Sequence, residues 1–236
     1  MDEAFSLQKL LGIGTIMKEK TTCYMCESPA TTKEHVPPRS FFPPGFRKDL
    51  ITVPSCNIHN TKKSNDDEYL RSLITIQYEV NTQARNLFSE KVMKALQRRP
   101  NLLRSFFFSG KTYPIFVDGE PSLAITYDYE RVIKALTCIA KAVHFYHFGT
   151  KWDEKLWVLP VSATFPPEQE NVEIQNARLT ELKTGTFETP KFGKNPEIFY
   201  YQFLNNEDNV IKRLRMGFFE GFIVYAVSRS IVDHDA

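Results

Sequence analysis

Two short pairs of soft and imidazole side chains constrain this chain more than anything else in it. Cys23 and Cys26 are separated by two residues, and Cys56 and His59 repeat that spacing. A two-residue gap lets both side chains of a tight turn converge on one ion, and zinc takes four sulfur or nitrogen ligands in a tetrahedron. Cys23, Cys26, Cys56 and His59 are therefore read as a Cys3His site. Four protein ligands leave no open position, so this zinc would be structural. The fourth cysteine, Cys138, stands apart and reads as a small core residue rather than a nucleophile.

The rest of the sequence sets the frame. With 236 residues and 42% apolar side chains there is enough material for one large domain or two modest ones. The formal charge of +2 neither announces nor excludes a polyanionic partner. No apolar run approaches the ~20 residues that span a bilayer, and the first residues lack the layout of a secretion signal. Clustered cysteines without such a signal imply metal binding in a reducing compartment, so a cytoplasmic location and no membrane partner are expected.

Between the knuckles, residues 31–36 and 50–54 read as two short strands joined by the proline-rich loop 37–49, where Pro37, Pro38, Pro43 and Pro44 oppose helix. Ser64 and Asn65 offer N-caps to a long helix, or two, over about 66–98, with Leu70, Ile74, Tyr78, Leu87, Val92 and Leu96 at roughly helical intervals and Pro100 beyond. A short helix at 101–108, strands over 112–127 around Asp118-Gly119 and Pro121, and an amphipathic helix ending at Gly149 follow. Val132, Ile133, Leu136, Ile139, Ala140 and Val143 would form that helix's core face. Three aromatic-rich stretches near 156–163, 196–204 and 216–228 read as strands. The expected division is an extension over 1–17, a module over 18–100 that includes the long helix, and an α+β region over 101–236.

The residues beside the knuckles carry the chemistry. Glu34 and His35 end the first strand, and Asn60 follows the last zinc ligand. A carboxylate and an amide oxygen are suitable ligands for a hard divalent cation. Neighbours on a strand face opposite ways, so Glu34 and His35 share one site only if the strand bends, and the Pro37-Pro38 pair could supply the bend.

The ordered pattern CYMC, KEHVPP and DLITVPSCNIHNTKKS resembles the HNH, or ββα-metal, endonucleases in an Asn-terminated form. It covers residues 23 to about 71, roughly a fifth of the chain. The resemblance implies an α+β protein whose N-terminal zinc-stapled ββα module precedes long helices and a mixed C-terminal region. It implies His35 as general base, Glu34 and Asn60 as holders of a catalytic Mg²⁺ or Mn²⁺, and Lys63 as a phosphate contact. Asp49 stands where the family's middle Asn braces the loop that carries the base. The implied function is hydrolysis of phosphodiester bonds in DNA, or RNA, with a homodimer or a partner protein of a defence or restriction-like system. The alternative is a non-catalytic zinc module that binds nucleic acid or a protein partner.

The remaining candidates divide between surface and core. Arg39, Arg47, Lys48, Lys62 and Lys63 could form a phosphate-binding stripe, or be scattered surface bases. His144 and His147 lie three apart on the later helix without further ligands at suitable spacing and read as its polar edge. Phe41, Phe42 and Phe46, with Trp152 and Trp157, read as packing residues.

Overall fold

The computed structural model describes residues 21–98, 112–161, 190–204 and 213–228. The strand readings for the first segment hold. β1 (Thr32–His35) pairs antiparallel with β2 (Thr52–Ser55), with Glu34 opposite Val53 and His35 opposite Thr52. The loop between them is not wholly irregular. It contains two single 3₁₀ turns, Arg39–Phe41 and Pro44–Phe46, because proline at the entry of such a turn gives up no hydrogen bond. Phe41 and Phe42 are buried by this loop and Phe46 packs against the same core, so they are packing residues.

A third 3₁₀ turn, Thr61–Lys63, leads directly into α1 (Ser64–Thr75). This corrects the expected capping. Neither Ser64 nor Asn65 caps the helix, since the chain is already helical on arrival and the Ser64 amide bonds to the Thr61 carbonyl. The inward face of α1 carries Leu70, Leu73 and Ile74, fully buried at helical spacing.

The helical region 66–98 is not one long helix. α1 stops at Thr75, and α2 (Thr82–Leu87), a π turn (Phe88–Val92) and α3 (Met93–Arg98) follow. At the end of α1, side chains take over backbone partners: the Thr75 hydroxyl donates to the Arg71 carbonyl at 2.9 Å and Gln77 Nε2 to the Leu73 carbonyl at 3.2 Å. Asn81 then caps α2, its Oδ1 accepting from the Ala84 amide at 3.2 Å. Tyr78 lies in the break and is half exposed, whereas Val80 is buried. The segment is pressed against the turn at Phe219-Glu220-Gly221. A Cβ on Gly221 would come within 2.1 Å of the Glu79 carbonyl oxygen, so only glycine permits this approach.

β3 (Thr112–Val117) and β4 (Glu120–Ile125) form a hairpin through Asp118 and Gly119, both at positive φ (52° and 83°), as a two-residue turn of this kind requires. Pro121 lies within β4 rather than in a turn. α4 (Tyr129–Phe148) is the expected amphipathic helix, capped by Asp128 and terminated by left-handed Gly149 at φ 72°. Val132, Leu136, Ile139, Ala140 and Val143 are buried and Ile133 partly so.

The C-terminal strands assemble one antiparallel sheet from β5 (Leu156–Pro160), β6 (Phe192–Asn195), β7 (Phe199–Leu204), β8 (Arg213–Phe218) and β9 (Phe222–Ser228), in the order β5-β9-β8-β7-β6. The stretch expected as a strand at 216–228 is two strands turning at Phe219-Glu220-Gly221, where Phe219 and Glu220 adopt positive φ. Trp152 is buried.

One hydrophobic core runs from Tyr24, Val53 and Phe41 through α1 and α4 to Phe218, Phe222 and Val224. The described parts of the expected 18–100 and 101–236 units thus share a core. Arg131 of α4 reinforces the contact with an ion pair to Asp66 at 2.7 Å. The 1–17 extension, the 101–108 helix and the boundary near 100–110 lie outside the described residues. No helix among the described residues is long and apolar enough to cross a membrane.

Candidate metal centre and adjoining polar cluster

The four knuckle residues converge. The first knuckle is a tight turn in which the Cys23 amide donates to the Ser28 carbonyl at 2.9 Å and the Met25 amide to Cys23 Sγ at 3.4 Å. The Tyr24 amide anchors it to β2 through the Pro54 carbonyl at 2.9 Å. The second knuckle leaves the end of β2 directly, and the Asn60 amide closes it on the Cys56 carbonyl at 3.1 Å.

The result places Cys23 Sγ 3.5 Å and Cys56 Sγ 3.3 Å from His59 Nδ1, with Cys26 and Cys56 sulfurs 3.9 Å apart. All four donor atoms lie within 4.8 Å of one another. Zinc–sulfur bonds of ~2.3 Å make a tetrahedral edge of about 3.8 Å, so this donor set fits a metal such as zinc.

Burial raises the Cys23 thiol above its ordinary value, whereas hydrogen bonds from Ser28 hold the Cys26 thiol lower. A cation at the centre would stabilise both as thiolates. Lys151, just after α4, ties the knuckle to the rest of the fold: its Nζ donates to the Cys26 carbonyl at 3.0 Å and to Glu27 Oε1 at 2.7 Å.

The second set, Glu34, His35 and Asn60, is arranged differently from the expected constellation. The β1–β2 register stays regular through both Glu34 and His35, so the alternation of a strand prevails and the two side chains face opposite ways. The irregularity supplied by the prolines comes only after His35. Glu34 is buried and forms an ion pair with Lys63, and the Ser55 hydroxyl donates to its other oxygen at 3.4 Å. Lys63 is buried too, and both oxygens of Asp67 accept from its ammonium at 2.9 Å.

This is a closed Glu34–Lys63–Asp67 triad between β1 and the start of α1. Burial raises the Glu34 and Asp67 carboxyls above their ordinary values even though Lys63 pulls the other way. For Lys63, burial pulls its pKa down, but Asp67 and Glu34 outweigh burial and raise it.

Glu34 as placed does not fit a divalent cation, because a lysine ammonium already occupies the position a cation would take against it. Lys63 is likewise turned inward rather than toward a phosphate. Asp67, in the first turn of α1, joins the triad without standing out in the sequence. Its i,i+4 spacing from Lys63 was the available signal.

Asn60 binds the edge of β1, its Nδ2 donating to Thr32 Oγ1 at 2.9 Å and to the Lys33 carbonyl at 3.3 Å. These bonds fix the amide orientation and leave its oxygen as an acceptor. His35 is half buried at the end of β1, and burial, then the charge of Arg39, holds its imidazole below the ordinary 6.5. Both favour the neutral imidazole, the form a general base requires. Asp49 is exposed and left-handed at φ 51°, and no hydrogen bond joins its side chain to the His35 loop among the described residues. The expected brace is absent there because the side chain faces solvent.

Of the expected basic stripe, Arg39, Lys48 and Lys62 are exposed, and Arg47 is partly buried with Nε on the Phe42 carbonyl at 2.9 Å. On α4, His144 is buried with Nδ1 against the Thr150 carbonyl at 3.0 Å, and His147 Nδ1 meets the Tyr201 hydroxyl at 3.3 Å. Both are packed among aromatic rings. No protein family, curated protein or solved structure matches the chain.

Proposed function

We propose that this chain is a metal-dependent endonuclease of the HNH type, acting on phosphodiester bonds of DNA, with His35 as the general base. The observation that carries the reading is the chain order of strand, strand and helix around a Cys3His cluster, with a half-buried histidine at the exit of the first strand. The knuckles hold β2 and the Asn60 turn against β1, so His35 keeps its position while its imidazole stays reachable from solvent. His35 takes the proton of the attacking water, and burial, with the Arg39 charge second, favours the neutral imidazole that can accept it.

A divalent cation bound at such a site supplies charge stabilisation at phosphate and at the leaving oxygen. The Asn60 oxygen is a suitable ligand for it. Glu34, paired with the buried Lys63 ammonium, is not one.

That lysine favours a second reading, a non-catalytic zinc module that binds nucleic acid or a protein partner, with Glu34 a purely internal brace. Incubating supercoiled plasmid with zinc-loaded protein and Mg²⁺, Mn²⁺, Ca²⁺ or no added cation separates the two. Nicking that depends on Mg²⁺ or Mn²⁺ supports the endonuclease. Binding without nicking under every cation supports the zinc module instead.

A further inference from the structure

The three sulfurs of the Cys3His cluster are not equally placed. Cys23 and Cys56 are buried, at 0% and 6% exposure, whereas Cys26 is only partly buried. Cys23 Sγ accepts from the Met25 amide at 3.4 Å and faces His59 Nδ1 at 3.5 Å. Cys26 Sγ instead faces the sulfur of Cys56 at 3.9 Å. The fourth cysteine, Cys138, is buried on α4 and is not part of the cluster. An oxidant arriving from solvent therefore meets Cys26 first, and the sulfur set against it belongs to the other knuckle.

The thiolate is the form that ligates a metal and also the form that a peroxide oxidises. A disulfide holds its sulfurs about 2.05 Å apart. Closing from 3.9 Å is a movement of about 2 Å shared between two side chains, with no change of partner strand required.

We propose that the cluster is a redox switch, in which a hydroperoxide replaces the metal staple with a Cys26–Cys56 disulfide. The Cys26 thiolate attacks the peroxide: an S–O bond forms, the O–O bond breaks and hydroxide leaves. The Cys56 thiolate then attacks the sulfenic sulfur: the S–S bond forms, the S–O bond breaks and a second hydroxide leaves. The two thiolates together lose two electrons. One hydrogen peroxide takes them up and, with two protons from solvent, becomes two waters.

After this step only Cys23 and His59 remain of the four ligands that a structural zinc requires. The disulfide joins residues 30 apart in sequence and encloses β1 and β2. The strand pair thus stays cross-linked while the turn carrying His59 and Asn60 loses its metal anchor. The switch needs the zinc site and is independent of the endonuclease reading.

The test uses the full zinc-loaded chain, titrated with hydrogen peroxide in the presence of a chromogenic zinc chelator. Disulfides are located by alkylation without reduction, followed by peptide mass spectrometry. Free thiols are expected to fall from four to about two per chain while about one zinc is released. Cys26 and Cys56 are expected in one linked peptide pair, with Cys23 and Cys138 alkylated. Dithiothreitol with added zinc should restore the starting state, and Cys138→Ser should behave as wild type. A Cys23–Cys26 disulfide within one knuckle would overturn the proposal, as would sulfinic acid formed without a disulfide. Zinc kept in full under excess peroxide, or a purified chain that takes up no zinc at the outset, would overturn it as well.

Discussion

Replacing Lys63 with methionine isolates the energetics of the buried triad. The substitution keeps the aliphatic stem but leaves Glu34 and Asp67 buried without their shared cation. Each carboxylate lies close to Nζ, Asp67 at 2.9 Å. At an effective dielectric constant of ~20, such a contact amounts to about 6 kcal/mol of attraction before desolvation is subtracted. Removing one partner of a buried pair typically leaves a net loss of about 3–5 kcal/mol, the expected destabilisation of Lys63→Met at about pH 8.

The pH dependence carries its own sign. The folded-state pKa values of Glu34 and Asp67 are raised even in the intact triad, and losing Lys63 raises them further. The folded variant then holds protons that the unfolded chain has released. Its stability is present at low pH and is lost as pH rises through those pKa values. Lys63 in the intact protein, with its pKa raised, contributes stability that persists to alkaline pH. The gap between the two proteins should therefore be small near pH 5 and largest near pH 8. Urea unfolding with excess zinc, followed by circular dichroism at both pH values, measures it. A variant as stable as wild type at the higher pH, or a gap that shrinks as pH rises, would refute the reasoning.

Two further predictions concern the metal and the base. Cys56→Ser should abolish stoichiometric zinc binding in native mass spectrometry and unfold the segment around β1 and β2, since structural zinc contributes ~10 kcal/mol or more in comparable small sites; retained zinc at full occupancy would remove Cys56 from the ligand set. The acidic limb of kcat/KM for cleavage should lie below 6.5, the ordinary histidine value, and Arg39→Gln should move it upward, because Arg39 disfavours the protonated imidazole; a limb that does not move in Arg39→Gln argues against His35 as the titrating group.

The knuckles and the β1–β2 pair were legible in the sequence because their determinants are local. A two-residue spacing, alternating side chains and flanking prolines mean the same in most contexts. The Asp118-Gly119 hairpin and the end of α4 at Gly149 were readable for the same reason, each being marked by its own residues.

What was not legible depends on distant packing. Nothing within residues 76–81 is a proline or glycine, and the helix breaks there because the turn at Gly221 docks against Glu79. The position of Lys63 after Asn60 suggests a phosphate contact, but the packing of β1 on the start of α1 turns it onto Glu34. The stretch at 216–228 gave a strand reading but concealed a reversal, since Phe219 and Glu220 carry no turn signal of their own.

The proposed role of His35 is that of a base in phosphodiester hydrolysis. Cleavage of a plasmid by the zinc-loaded protein in Mg²⁺ or Mn²⁺, beside His35→Ala carrying the same zinc and showing the same unfolding curve, tests it most directly. Metal-dependent nicking by the intact protein, and loss of all but a trace in the variant, is the expected result. Equal nicking by both proteins would contradict it.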